Sequence, residues 1–197
     1  MANYRAVHGV MDAIRAFLDE RLPAELRAAP ASVRLIGSRG FNEFRDTSGL
    51  GLYLHRISID TSVPGGFQHR PAADRRRPLP DVPLCLHFLV ISFAVSAEIE
   101  VGLMGWAMQQ FATVPVLGVE RLDRTTLDWR APERVQITTE DMPTEDLLRI
   151  WDGLPGDYNL TVPFLVRPVR VGMDRDTETF EPVRTRVFAL HDDPARD

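Results

Sequence analysis

Residues 84–95 read LCLHFLVISFAV. The stretch is apolar on both faces, with only His87 strongly polar. A strand exposed on one side alternates apolar and polar residues, so an unbroken run is that of a central strand covered on both sides. Ser96 follows as an N-cap. Glu98 and Glu100 then fall in a first helical turn, where the helix dipole favours negative charge. Val101, Met104, Met108 and Phe111 predict a helical stripe running to Pro115. A buried strand delivered into a capped helix sets the pattern for the rest of the chain.

Upstream, Leu50, Leu52 and Leu54 alternate with Gly51, Tyr53 and His55, and Ile57 and Ile59 continue on the second face. This predicts another strand with apolar groups on both sides. Val33–Ile36 is a shorter strand, and residues 37–49 read as a loop. Val7, Val10, Met11, Ile14, Phe17, Leu18 and Leu22 recur at helical spacing, with Asp12, Arg15, Asp19 and Glu20 opposite. They predict an amphipathic helix ending or kinking near Pro23. Residues 60–81 form a long loop carrying Arg75, Arg76 and Arg77, and a loop of that length is usually functional or disordered.

Downstream, residues 116–122 suit either a strand or a helix. Val135 and Ile137 predict a short strand. Thr144 is placed to cap a short helix whose apolar face is Leu147, Leu148, Ile150 and Trp151. Residues 158–171 predict a long strand, which Pro163 and Pro168 assign to an edge or a bend. In the last candidate strand, Val183 to Leu190, Val183, Thr185, Val187 and Ala189 alternate with Arg184, Arg186, Phe188 and Leu190. The sum is a single α+β domain: a mixed β-sheet, two to three helices packed on it, and a long arginine-containing loop.

Composition agrees. The 197 residues are 44% hydrophobic and 26% charged, which are globular values. The formal net charge of −5 gives no footprint for nucleic acid. All 23 basic residues are arginine, matching a GC-rich genome and compatible with fork-shaped ion pairing at interfaces. One cysteine, Cys85, excludes an intramolecular disulfide and argues against a cysteine zinc site. The first 20 residues carry Asp12, Asp19 and Glu20 and lack the apolar core of a signal peptide. The most apolar stretch, 82–97, falls short of the roughly 20 residues that span a bilayer. A soluble, cytoplasmic protein with no stable membrane insertion is expected.

Chemistry is sparse. His8, His55, His69, His87 and His191 form no metal-binding or nucleophile motif. His87 and His55 read as core or near-core histidines. Cys85, flanked by Leu84 and Leu86, reads as a buried inert thiol. The glycine pairs match neither a dinucleotide fingerprint nor a phosphate loop. No catalytic residue, metal or cofactor is expected. Trp106 and Trp151 fall on apolar helix faces and read as core. Trp129, in the polar stretch DRTTLDWRAPER, is the best candidate for an exposed aromatic. Arg75, Arg76 and Arg77 suit phosphate or an acidic partner. Arg184, Arg186 and Phe188 complete the interface candidates.

The order of segments carries a family resemblance. M-x-N-Y opens an amphipathic helix, GLGLYLHRISID leads into the arginine loop, and LPDVPLCLHFLVISFAV follows. A helix then runs into ATVPVLG, and VQITTEDMPTEDLLRIWDGLPGDYNLTVPFLVRPVRV closes the domain. This resembles the tail-terminator, or cap, proteins of bacterial contractile injection systems, the phage-tail-like particles. The resemblance covers about residues 1–172, leaving 173–197 as a connector, candidate strand and tail. Two departures stand out. The short polar insertion before the helix is reduced to Ser96–Ala97, and the tail is short beside the C-terminal extensions of some relatives.

The resemblance implies a structural protein. Such caps form a homo-hexameric ring on the last layer of inner tube and contractile sheath, stop polymerisation, and anchor the distal sheath to the tube. The implied partners are the chain itself, the tube protein and the sheath protein, in a cytoplasmic particle that either stays in the cell or leaves by lysis. Sheath strands exchanged between subunits, a feature of these particles, give the Val183–Leu190 segment a second role besides closing its own sheet. The alternatives are another structural adaptor, of baseplate or collar, or a small-ligand protein or enzyme of unknown substrate.

Overall fold

The computed structural model describes residues 4–26, 32–38, 40–41, 48–63, 81–122, 129 and 133–172. The chain is a single α+β domain built on a six-stranded mixed sheet. Its strands are β1 (Ser32–Ile36), β2 (Gly49–Ile59), β3 (Val82–Phe93), β4 (Val116–Gly118), β5 (Arg134–Thr139) and β6 (Thr161–Val171), in the spatial order β1-β2-β3-β6-β5-β4. β1 pairs with β2 in parallel, and the other pairs are antiparallel. The apolar run of β3 is central, as its composition requires. Leu86, Phe88 and Val90 are fully buried on one face, and Leu89 and Ile91 on the other.

The first face carries α1 (Ala6–Arg21) and α2 (Ala97–Thr113). Val10, Ile14, Phe17 and Leu18 bury the inner stripe of α1. Pro23 cannot continue the helix, and Leu22 and a 3-10 turn at Ala24–Leu26 end it. Asp19 Oδ1 then accepts the Val33 N–H at 3.1 Å, tying the helix end to β1. At the start of α2 the Ser96 hydroxyl accepts from Ile99 N–H at 3.4 Å, the expected cap. The buried stripe of α2 is Leu103, Met104, Ala107 and Phe111, whereas Val101 is 63% exposed and Met108 is exposed. The expected stripe was therefore rotated. No charged residue follows Glu100 in this helix, so spacing alone offers two overlapping apolar faces.

The second face is covered in part. α4 (Thr144–Asp152) sets Leu147 and Trp151 against a cluster containing Leu89, Ile91, Phe93, Ile36 and Phe41. Pro143, not Thr144, holds the N-cap position, and no side chain caps the helix. Leu148, expected on the inner face, is 46% exposed. The ambiguous segment 116–122 divides into β4 and the one-turn α3 (Val119–Leu122).

β6 corrects the edge assignment: it lies inside the sheet, between β3 and β5. Its prolines fit for local reasons. The Pro163 carbonyl accepts from Glu140 N–H on the β5 side, just past the end of β5, so the ladder keeps this bond although Pro163 has no N–H to return. Arg167 and Pro168, joined by a cis peptide, stand against the single residue Cys85 of β3 and form a bulge. The bend half of the expectation therefore holds at Pro168.

Candidate functional site

Beyond α4 the second face changes character. His87 of β3, Arg56 and Ser58 of β2, and Glu140 at the end of β5 meet there. Strand alternation dictates the meeting. With Leu86 and Phe88 turned to the first face, His87 turns to the second, and the register sets Arg56 opposite it. His55 is the extra residue of a β2 bulge between Leu54 and Arg56.

His87 is 6% exposed and Glu140 is 14% exposed at its side chain, with Nδ1 and Oε1 2.8 Å apart. A carboxylate only accepts, so Nδ1 carries the proton of this bond. Ser58 Oγ lies 2.8 Å from Nε2 and donates to it when the ring is neutral. Arg56 Nη2 donates to the same Glu140 oxygen at 3.0 Å. Burial pushes the His55 imidazole below its usual pKa of 6.5, with the Glu140 charge opposing and His87 and Arg56 reinforcing. Burial, then the nearby Asp60 charge, pushes the Cys85 thiol up, with partial opposition from Arg167 and Ser58. The thiol is buried, as its neighbours Leu84 and Leu86 predict.

Ser58, His87 and Glu140 make the two hydrogen bonds of a nucleophile–base–acid row, with His87 and Glu140 largely buried. The cavity of about 460 Å³ found among the described residues lies elsewhere, lined by Glu20, Arg21, Glu120 and Arg121. Glu140 is shared with Arg56, so the row acts as a clip joining β2, β3 and the β5–α4 junction. Among the described residues no three His, Cys, Asp or Glu side chains are grouped to hold a metal ion.

The sequence-derived interface candidates fare unevenly. Arg75, Arg76, Arg77, Arg184, Arg186 and Phe188 lie outside the described residues. Trp129 does not serve as an exposed aromatic: it is 8% exposed and packs in the first-face core, its indole N–H without a partner among the described residues. The polar sequence around it hides this, because a single large apolar ring gains more by tucking back than its neighbours lose. Trp151 is buried, whereas Trp106 is only partly so. Sequence reading missed the exposed Arg56, Arg134 and Arg167, which share the open half of the second face. The alternation of Arg134, Gln136 and Thr138 with Val135 and Ile137 is the signal that could have placed one of them.

No helix among the described residues is long and apolar enough to cross a membrane. No curated protein sequence matches the chain significantly. Among solved structures, the fold is similar to the sheath/tube terminator of an extracellular contractile injection system, PVC, in its extended state. The TM-score is 0.62 at 13% identity, over 97% of this chain and 65% of that one. It is also similar to the tube-terminating cap of the anti-feeding prophage, with TM-score 0.58 and 12% identity, over 96% of this chain and 62% of the other. The chain thus spans less than two thirds of the length of either structure. A family model described as the Pvc16 N-terminal domain matches residues 9–185, nearly the whole sequence, and the chain belongs to that family.

Proposed function

We propose that this chain is the structural cap of a contractile injection particle. It forms a homo-hexameric ring, ends the growth of inner tube and sheath, and holds the distal sheath to the tube. The observation that carries the reading is the family match over residues 9–185, whose fold is shared with a sheath/tube terminator and a tube-terminating cap. A role by surface contact rather than catalysis agrees with Arg56, His87 and Glu140 being tied to one another as a clip between strands. In this reading residues 1–172 are the cap domain and 173–197 a connector and strand. Arg75, Arg76 and Arg77 face carboxylates of a neighbouring cap, tube or sheath subunit, where arginine pairing is directional enough to fix register. Assembly takes place in the cytoplasm, and the particle leaves by lysis.

The test is to express the particle with and without this chain and measure tubes by electron microscopy. Its loss should give tubes of uncontrolled length and sheath that slips from the distal end. Normal lengths without it, or labelled protein found at the baseplate end, would overturn the proposal. Within the same system, replacing Arg75, Arg76 and Arg77 together by Ser should weaken capping without unfolding the domain.

A further inference from the structure

The second face of the sheet is divided by sign as well as by cover. Under α4 it is apolar. On the half that α4 does not cover, the exposed charged side chains of β2, β5 and β6 are Arg56, Arg134 and Arg167. They share a face by alternation: Val135, Ile137 and Val166 are buried on the other side. Gln136 pairs with Arg167 across the β5–β6 ladder, and Arg56 lies against His87. The carboxylates of this half lie deeper. Glu140 and Asp81 are 14% and 11% exposed at their side chains, and Asp60 is buried. Among the described residues the outermost charge of this half is therefore positive, on a chain whose net charge is −5.

The outer side of α4 and its flanks is the opposite. Asp141, Glu145, Asp146 and Asp152 are all exposed, against the single Arg149, which stands 3.8 Å from Asp146. Leu147 and Trp151 bind the inner side of α4 to the sheet, so these acids point away from the protomer that carries them. One protomer thus offers two unlike surfaces of opposite sign that do not meet each other. A second copy carries the complementary surface to each. Contacts between unlike surfaces of identical subunits are head-to-tail, and these form a ring when the rotation from one subunit to the next closes.

We propose that Arg56, Arg134 and Arg167 of one protomer dock onto the acidic outer side of α4 of the next. This rests on the ring reading and names the surfaces that build the ring. The test is native mass spectrometry of the full chain with three variants: Arg134→Glu/Arg167→Glu, Glu145→Arg/Asp146→Arg, and all four together. All the altered side chains are exposed, and circular dichroism checks that each variant is folded. Either pair alone should abolish the oligomer or raise its apparent Kd at least about tenfold. The fourfold variant, with both signs exchanged, should restore it. An oligomer unchanged in either double variant would overturn the contact, as would a folded fourfold variant that stays dissociated. A wild-type chain that is monomeric yet still limits tube length would overturn the contact and leave the cap reading standing. An intact, charge-sensitive oligomer that leaves tube length uncontrolled would do the reverse.

Discussion

Gly51 lies where β2 faces β1 and β3 under the second-face cluster. A Cβ built there would overlap Ile36 Cδ1 and lie 2.8 Å from Phe93 Cε2. Both neighbours are buried, so neither can move aside cheaply. Gly51→Ala should cost about 1–3 kcal/mol, the usual cost of overpacking, read as a lowered urea midpoint with an unchanged slope. The two helical tryptophans allow a paired comparison. Trp151 is 5% exposed and sits edge-on to Phe41 at 5.8 Å, whereas Trp106 is only partly buried. Trp151→Ala should cost about 3–5 kcal/mol, and Trp106→Ala distinctly less, in the same unfolding assay. Equal losses would mean that Trp106 is covered in solution. Sequence distinguished these positions poorly. A tryptophan on an apolar helical face reads as core wherever it falls, and Trp129 in its polar stretch read as surface. Burial of single rings is settled by packing between distant elements, which local pattern does not contain.

Among the elements, the strands were the most legible. β2, β3 and β5 stand out as strands by their apolar residues, and the structure places strands where the pattern does. α2 was legible as a helix and illegible in rotation, because the stretch from Val101 to Thr113 has no charge to mark a solvent side. β6 misled through its prolines, which this interior strand holds just past the end of β5 and at a bulge. The β2 bulge was invisible, yet it decides the polar clip by setting Arg56, rather than His55, opposite His87. It also has a pH consequence. The folded pKa of His55 is depressed below 6.5, chiefly by burial, so the unfolded chain binds more protons there in that range. His55 therefore contributes stability that is fully present above about pH 6.5 and is lost as pH falls through the folded pKa. Between pH 7.5 and pH 5.5 the urea midpoint should fall more for the wild type than for His55→Gln. Equal falls in the two proteins would remove His55 as the cause.

At the scale of the molecule, the order of segments spoke more clearly than any single residue. Neither a motif nor a charge run distinguishes the chain, yet helix, strand, arginine loop, buried strand and helix in that order pointed to the family. What sequence could not supply was the division of the second face into apolar, acidic and basic zones, since β2, β5, β6 and α4 come together only in the folded sheet. The described core also bears on the C-terminal segment. Among the described residues, the buried apolar side chains end at Val169 and the last strand of the sheet ends at Val171. Truncation after Asp176 should therefore leave a cooperatively folded domain. Its melting temperature should fall by no more than a few degrees, about what a loss of 1 kcal/mol produces in a chain of this size. If the strand from Val183 to Leu190 serves a neighbour, where backbone hydrogen bonds supply affinity and alternate side chains specificity, the loss appears in the particle instead. Tubes should still end at normal length, while the contracted sheath detaches from the distal end. A truncated chain that is unfolded would assign the strand to its own core, and one that folds and still holds contracted sheath would remove the exchanged strand from the mechanism.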